Sequence, residues 1–214
     1  MQSIAKQVFE NQLLAIHRAK SRIGPEFERA VETILASRGR IIICGMGKSG
    51  IIGKKIASTL SSTGTPSFSV HPGEAYHGDL GMITRDDTVI LISHSGETEE
   101  VIRLIPSIRH FGVPIIALVG NPNSTLAKNA DVVLDVSVDC EACPNIQFPT
   151  SSCTVTLVMG DALAVALVER RKFRLQDFAF FHPAGAEKFF PERQKRKPII
   201  QPAGSFAMKN SATG

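Results

Sequence analysis

The 214-residue chain contains few aromatic side chains and few cysteines: no Trp, a single Tyr and four Cys. Proteins that bind nucleic acids generally carry a basic surface with aromatic side chains on which bases stack, so this composition disfavours a nucleic-acid partner. Cys140 and Cys143 form a Cys-x-x-Cys pair, but no second pair follows at the spacing of a zinc finger. We therefore interpret the cysteines as reduced structural thiols.

Long apolar runs are also lacking. No uninterrupted stretch approaches the roughly 18 apolar residues of a membrane span. Met1 to Lys6 lack the basic flank and apolar segment of a signal peptide. These absences predict a cytoplasmic protein with no membrane partner.

The net charge of +4 is concentrated at one end of the chain. Residues 187–214 carry six basic and two acidic side chains, whereas residues 1–186 carry eighteen of each sign. The larger part is therefore neutral, which again disfavours nucleic-acid binding. We predict one domain over residues 1–186, with helices in residues 1–38 docking on it, and a basic, flexible tail over residues 187–214.

With 43% apolar and 21% charged residues, the composition is typical of a globular protein. Two amphipathic helices are predicted first, over residues 4–22 and 25–37. The first helix places Ile4, Val8, Leu13 and Ile16 near one face, which we expect to dock. Short apolar runs that predict strands then alternate with helical stretches; they lie at residues 41–44, 88–93, 114–119 and 131–136, and a weaker strand is predicted at residues 67–70. This order predicts an α/β fold, a doubly wound and mainly parallel five-stranded sheet sandwiched by helices.

Three connections complete this prediction. We expect one helix from the loop at residues 93–98 to about His110, an irregular segment over residues 71–81, and a long apolar helix over residues 152–170.

Open parallel sheets bind ligands beyond the carboxyl ends of their strands, where the strand order reverses. A glycine-rich loop, residues 45–50, follows the first strand. It lacks the spacing of a Walker A loop, and although its glycines fit Gly-x-Gly-x-x-Gly, no acidic residue closes the next strand as dinucleotide binding requires. Lys48 within this loop favours an anion other than a dinucleotide as the ligand.

A second polar loop, residues 93–98, follows the third strand. Ser93, Ser95 and Thr98 supply hydroxyls, and Gly96 lets the backbone bend so that amides converge where a helix begins. Such a loop can bind a phosphate monoester. The alternative is that Ser95 or Thr98 only caps the helix.

Eight segments resemble, in order and with few gaps, the sugar isomerase (SIS) domain of D-arabinose-5-phosphate isomerases. They are residues 45–50, 62–66, 71–75, 77–81, 93–97, 141–144, 149–152 and 159–166, and the similarity runs from about residue 5 to residue 186. The resemblance implies a flavodoxin-like three-layer sandwich. It also implies an aldose-ketose isomerase that interconverts D-ribulose 5-phosphate and D-arabinose 5-phosphate and feeds Kdo and lipopolysaccharide biosynthesis.

The resemblance further implies a homotetramer with shared active sites and no cofactor. By motif position, the catalytic residues fall on Lys48, Glu100, Glu141 and His182. The residues implied to bind the substrate or its phosphate are Gly47, Ser49, Gly64, Thr65, His77, Ser93, Ser95 and Thr98. No metal is required, and His71 is at most an adventitious zinc ligand.

Isomerisation between an aldose and a ketose needs a base that takes a proton from carbon and a cation or donor that stabilises the enediolate oxygen. We interpret Glu141 or His182 as the base, Lys48 as the oxyanion partner and Glu100 as the group that orients Lys48 or a hydroxyl. Each has a simpler alternative: Glu100 complements a helix N-terminus, Glu141 is an idle exposed carboxylate, and His182 is a packed ring.

The chain departs from the family at two places. The usual asparagine between the loop serines is His94, and the usual His-Pro-Gly-Gly reads His-Pro-Ala-Gly, with Ala184 as the change. The chain shows no CBS domains, so we expect no regulation through them. Two rival functions stay open: another phosphosugar isomerase, such as one for hexulose phosphate, and a non-catalytic sugar-phosphate sensor.

Overall fold

Five apolar segments form parallel strands in the computed structural model, which describes residues 1–143 and 145–182. They are β1 (Ile41–Gly45), β2 (Ser67–Val70), β3 (Thr88–Ser93), β4 (Ile115–Val119) and β5 (Val132–Asp135). Hydrogen bonds join them in the order β2-β1-β3-β4-β5. The predicted parallel sheet is confirmed, and its strand order reverses between β1 and β3.

Helices connect and flank these strands. Those of the described chain are α1 (Gln2–Ser21), α2 (Pro25–Ala36), α3 (Gly47–Ser62), α4 (Pro72–Tyr76), α5 (Glu99–Ile102), α6 (Ile105–Phe111), α7 (Thr125–Lys128), α8 (Ser151–Arg171) and α9 (Leu175–Phe181), with a 3₁₀ helix at Asp79–Met82.

The sheet is buried on both faces because successive strand side chains point to opposite sides. Ile41, Ile43 and Ile90 pack on one face with side chains of α1, α2, α3 and α8. Ile42 and Leu91 pack on the other face with side chains of α4 to α7. The three central strands, β1, β3 and β4, are accordingly rich in Ile, Val and Leu and buried along their whole length, and the three-layer α/β sandwich is confirmed.

The helix predicted to run to about His110 is divided into α5 and α6. Pro106 lies in the first turn of α6 and has no N–H to donate to the carbonyl of Ile102, so one continuous helix cannot form there. The segment expected to be irregular, residues 71–81, contains α4 and part of the 3₁₀ helix. No helix was predicted at α9, which is only seven residues long.

α1 uses a different face from the one predicted. Its buried residues are Ala15 and Ala19, four positions apart, and the helix lies against α8. Ile4 and Leu13, which were expected on the docking face, are 61% and 65% exposed. Small side chains allow the two helix backbones to approach closely, which the larger residues would prevent.

α8 is apolar throughout, with a mean hydropathy of 1.7 over its most apolar window, and by length and composition alone it could span a membrane. The expectation that no such segment occurs was wrong, because Ser and Thr interrupt the apolar run without lowering the mean enough. Half of that window is buried inside the protein. Val155, Met159 and Leu163 form part of the core beneath the sheet.

The predicted tail at residues 187–214 and the end of the predicted domain, with Ala184, lie outside the described residues. The proposed domain boundary therefore stays a prediction.

Candidate functional site

The two polar loops lie side by side at the carboxyl edge of the sheet. Gly45, the last residue of β1, pairs with Ile92 of β3, and Ser93 ends β3. This is the point at which the strand order reverses, as expected for a ligand site in an open parallel sheet.

The glycine-rich loop turns tightly into α3. A Cβ on Gly50 would lie 2.4 Å from the carbonyl oxygen of Gly45, and Gly47 has a positive φ of 57°. Both positions therefore favour glycine. α3 begins at Gly47, with Lys48 and Ser49 in its first turn and no acidic residue there. Lys48 is exposed, so its charge is available to an anion.

The hydroxyl loop, residues 93–98, is held together by its own side chains. Ser93 Oγ lies 2.7 Å from Thr98 Oγ1 and 3.5 Å from Ser95 Oγ, and it accepts a hydrogen bond from Gly96 N at 3.0 Å. Ser95 Oγ accepts from Glu97 N at 3.2 Å. The three predicted hydroxyls therefore converge as expected.

Helix capping does not explain this convergence. Thr98 occupies the cap position of α5, but its side chain makes no capping hydrogen bond, and α5 has only four residues. Gly96 has a φ of 70°, and a Cβ there would lie 2.0 Å from Ser124 Oγ. The hydroxyl loop therefore packs tightly against the loop that follows β4, and this contact fixes the shape of the hydroxyl loop.

Glu141 is buried, with 7% of its surface exposed, rather than the idle surface carboxylate considered above. Its Oε2 accepts hydrogen bonds from Thr150 N at 2.7 Å, Thr150 Oγ1 at 3.0 Å and Ser152 N at 3.3 Å, and its Oε1 accepts from Ser152 Oγ. Burial opposes ionisation, but the hydrogen bonds from Ser152 and Thr150 outweigh it and lower the pKa of Glu141. The side chain is a fixed carboxylate at the start of α8.

Thr150 and Ser152 are the functional residues that sequence analysis missed. They belong to a segment quoted for the resemblance, yet neither was assigned a role. Their position just before the apolar run of α8 is where hydroxyl side chains commonly accompany a helix start, and that signal could have drawn attention to them.

The pKa of the Cys153 thiol depends on charged side chains from both the first turn of α3 and the loop before α8. Burial raises the pKa of its thiol, the charge of Glu141 raises it further, and Lys48 opposes both. Lys48 and Glu141 are therefore both near this thiol. The structure brings together at one edge the hydroxyl loop, the cation and the fixed carboxylate.

Glu100, His77 and His71 lie around the same edge of the sheet and are exposed. Within the described chain Glu100 has no hydrogen-bond or ion-pair partner, although its neighbour Glu99 pairs with Arg103. His71 Nδ1 accepts from Gly73 N at 3.2 Å. No group of three His, Cys, Asp or Glu side chains among the described residues could hold a metal ion.

Gly64, Thr65 and His182 lie at the opposite end. Gly64 and Thr65 precede β2, whose Ser67 pairs with the first residue of β1. A Cβ on Gly64 would lie 2.5 Å from the ring of Phe173, just after α8. The ring of Phe181 lies 6.0 Å from that of Phe173, and His182 follows it. α8 is about 31 Å long at 1.5 Å per residue, so one chain does not bring these residues to Lys48.

His182 is half-buried, and its ring stacks on Phe178 at 3.9 Å. Its Nδ1 lies 3.3 Å from the carbonyl oxygen of Phe178. This contact fixes the ring and leaves Nε2 as the nitrogen that can exchange a proton.

A family model described as the SIS domain matches residues 34–166. The chain is 58% identical over 172 residues to "Arabinose 5-phosphate isomerase KdsD" of Pseudomonas aeruginosa, which covers 80% of this chain and 53% of that protein. It is 51% identical over 185 residues to the KdsD protein of Escherichia coli K12, covering 86% and 56%. The chain thus spans about half the length of the curated relatives it matches.

Among solved structures, the fold is similar to "E. coli CFT073 c3406 in complex with A5P", with a TM-score of 0.82 and 42% sequence identity. That match covers 85% of this chain and 96% of the other.

Proposed function

We propose that this chain, which belongs to the SIS domain family, interconverts D-ribulose 5-phosphate and D-arabinose 5-phosphate through a cis-enediol. The observation that carries this proposal is the convergence of three hydroxyls beside a lysine and a fixed, buried carboxylate at the switch point of the sheet. The names of the close relatives, arabinose 5-phosphate isomerases, support the choice of pentose.

The hydroxyl loop is the proposed phosphate site. Ser93, Ser95 and Thr98 can each donate a hydrogen bond to a phosphate oxygen by rotating the hydroxyl hydrogen. Their mutual hydrogen bonds hold them close together before substrate arrives, which reduces the entropy lost on binding. Gly47 and Ser49 in the first turn of α3 border the same site.

The reaction removes a proton from C1 of the ketose, forms the enediolate, and returns a proton to C2 while the proton on O1 moves to O2. Lys48 is assigned to the enediolate oxygen, because a cation placed where charge develops stabilises the transition state.

His182 is assigned as the carbon base in preference to Glu141. A lowered pKa makes Glu141 a weaker base, and its two oxygens already accept four hydrogen bonds. His182 has one nitrogen held by a backbone carbonyl, the arrangement that leaves the other nitrogen free to take a proton. Glu141 then holds the start of α8 beside Lys48, and Glu100 orients a substrate hydroxyl.

This assignment requires that copies of the chain share their sites. His182 and Lys48 lie at opposite ends of α8, so a second copy must bring its His182 to the Lys48 of the first. We propose that these composite active sites form in a homotetramer, the assembly that the family resemblance implies, and that the enzyme acts in the cytoplasm and its product feeds Kdo and lipopolysaccharide biosynthesis.

Proton NMR of the purified protein with D-ribulose 5-phosphate in D₂O, with chelator present, tests the proposal. We expect arabinose 5-phosphate that carries deuterium at C2. Turnover of a hexulose phosphate in place of the pentose would identify a different phosphosugar isomerase. Binding of sugar phosphates without exchange or product would indicate a sensor and contradict the proposal.

A further inference from the structure

A small cavity of about 30 Å³ lies between the hydroxyl loop and the start of α8. Ser49, His94, Ser152 and Cys153 contribute to its lining. A volume of this size accommodates one water molecule, provided that two to four polar partners surround it. The site described above uses Ser49 and Ser152 but assigns nothing to His94.

The ring of His94 is held in one orientation. The backbone oxygen of His94 accepts a hydrogen bond from Gly120 N at 2.8 Å. A Cβ on Gly120 would lie 2.4 Å from Cε1 and 2.6 Å from Nδ1 of the ring, so the ring lies directly against the glycine. Only glycine at this position leaves room for it.

Nδ1 of His94 is buried and has no hydrogen-bond partner in the described chain. In the tautomer that carries its proton on Nε2, His94 offers Nε2–H as a hydrogen-bond donor.

The cavity that His94 lines is also lined by hydroxyl groups that can accept a hydrogen bond. Ser152 Oγ donates to Glu141 and can still accept a hydrogen bond. The Ser49 hydroxyl has no partner among the described residues, so it can donate or accept. A water between these groups would reach the usual number of hydrogen bonds for a buried water.

We propose that His94 is a positioning residue whose Nε2–H, through one water in this cavity, links the hydroxyl loop to Ser152 and thereby to Glu141. A phosphate that fixes the loop then also fixes the carboxylate beside Lys48. His94 acts on Glu141 and not on the reacting carbons. The inference rests on the proposed function, because it assumes that phosphate binds at the hydroxyl loop.

Steady-state kinetics of His94→Phe and His94→Gln test this role, since Phe keeps the ring and the Gln amide replaces Nε2–H. We expect His94→Phe to lower kcat about tenfold, the effect of losing one hydrogen bond in the transition state, with KM changed less than about twofold. His94→Gln should recover kcat to within about threefold of the unmodified enzyme. His110→Phe, an exposed histidine on α6, is the matched control and should change neither constant.

Three kinetic outcomes would overturn the inference: full kcat in His94→Phe, a loss confined to KM, or a His94→Gln enzyme as slow as His94→Phe. Thermal unfolding of each variant shows whether a loss reflects the fold. An unmodified enzyme that does not turn over any sugar phosphate would overturn the proposed function, and this inference with it.

Alkylation of Cys153 gives a readout that does not depend on turnover. In a Cys140→Ser, Cys143→Ser background the remaining cysteine, Cys44, is buried, so a thiol reagent reports on Cys153. Inorganic phosphate should slow alkylation in this background and with His94→Gln added. With His94→Phe added, the protection should be lost. Equal protection in all three proteins would contradict the link, and no protection in the background would contradict the phosphate site itself.

Discussion

The two ends of the sheet carry different parts of the proposed site. At the carboxyl edge, the Ser93 hydroxyl contacts Thr98 and Gly96, and the Glu141 carboxylate accepts hydrogen bonds from Thr150 and Ser152, all within a single chain. At the amino end, the Thr65 hydroxyl is buried and has no partner among the described residues, and the His182 ring contacts the backbone carbonyl of Phe178. We assign anion binding to the first end and proton exchange to the second.

This difference indicates how a complete site can arise. The proposed phosphate and oxyanion partners lie at the carboxyl edge, and the proposed base lies at the amino end. Because the length of α8 separates them, the proposal requires two copies of the chain to complete one site. Mutations at the two ends should therefore differ both in their size and in whether a second protein can rescue them.

The largest expected effect is the loss of the cation at the carboxyl edge. Lys48→Met should lower kcat about 10²- to 10³-fold, because the developing enediolate charge loses its partner. Lys54→Met, an exposed lysine later on the same helix, is the matched control and should leave kcat unchanged. Steady-state kinetics with both pentose phosphates would measure this; equal activity of the two variants would remove Lys48 from the mechanism.

Mixing two inactive proteins tests the separation of the ends directly. Lys48→Met and His182→Ala should each be nearly inactive, but an equal mixture that exchanges subunits should regain about a quarter of the unmodified activity, since each site draws its two groups from different copies of a symmetric assembly. The activity is measured after mild dissociation and reassembly. An assembled mixture that stays inactive would show that both groups come from one chain.

Much of the fold could be predicted from the sequence because its signals are local. The central strands are apolar runs that are buried on both faces, and all five strands were predicted within a residue or two. The break between α5 and α6 could also have been predicted, from Pro106. The docking face of α1 could not, because Ala15 and Ala19 are selected by the shape of α8 and not by the periodicity of α1.

Features of the candidate site likewise differ in whether a local sequence signal predicts them. The convergence of the hydroxyls of Ser93, Ser95 and Thr98 could be predicted because they lie within six residues, and their role in binding phosphate stays a prediction. The burial of Glu141 was not predicted, since its partners Thr150 and Ser152 lie nine and eleven residues further along the chain. Motif similarity placed Lys48 and His182 in one functional set but carried no information on their separation in space.

The free energy of unfolding should distinguish the hydrogen-bonded hydroxyl of Ser152 from the Thr65 hydroxyl, for which the described residues supply no partner. Ser152→Ala removes a buried hydrogen bond to a charged group and should lower the free energy of unfolding by about 1.5–3 kcal/mol. Thr65→Val removes a buried hydroxyl that has no partner among the described residues and should change the free energy of unfolding by less than about 1 kcal/mol. Urea unfolding at neutral pH measures both. A Thr65→Val protein as unstable as Ser152→Ala would show that the Thr65 hydroxyl has a partner after all.

A smaller effect, in the pH dependence of stability, tests why Ser152 matters. Burial alone would raise the pKa of Glu141, but the hydrogen bonds from Ser152 and Thr150, of which that from the Ser152 hydroxyl is the largest, together outweigh burial and hold the folded-state pKa below its ordinary value of 4.5. The ionised carboxylate therefore stabilises the folded state above pH 4.5, and this contribution is lost as the pH falls through the lowered pKa. The difference in stability between the unmodified protein and Ser152→Ala should accordingly shrink from neutral pH to about pH 3. The small difference for Thr65→Val should stay constant, since no titrating group contacts that hydroxyl among the described residues. A Ser152→Ala deficit that persists undiminished in acid would mean that the hydroxyl stabilises packing and does not act through the charge of Glu141.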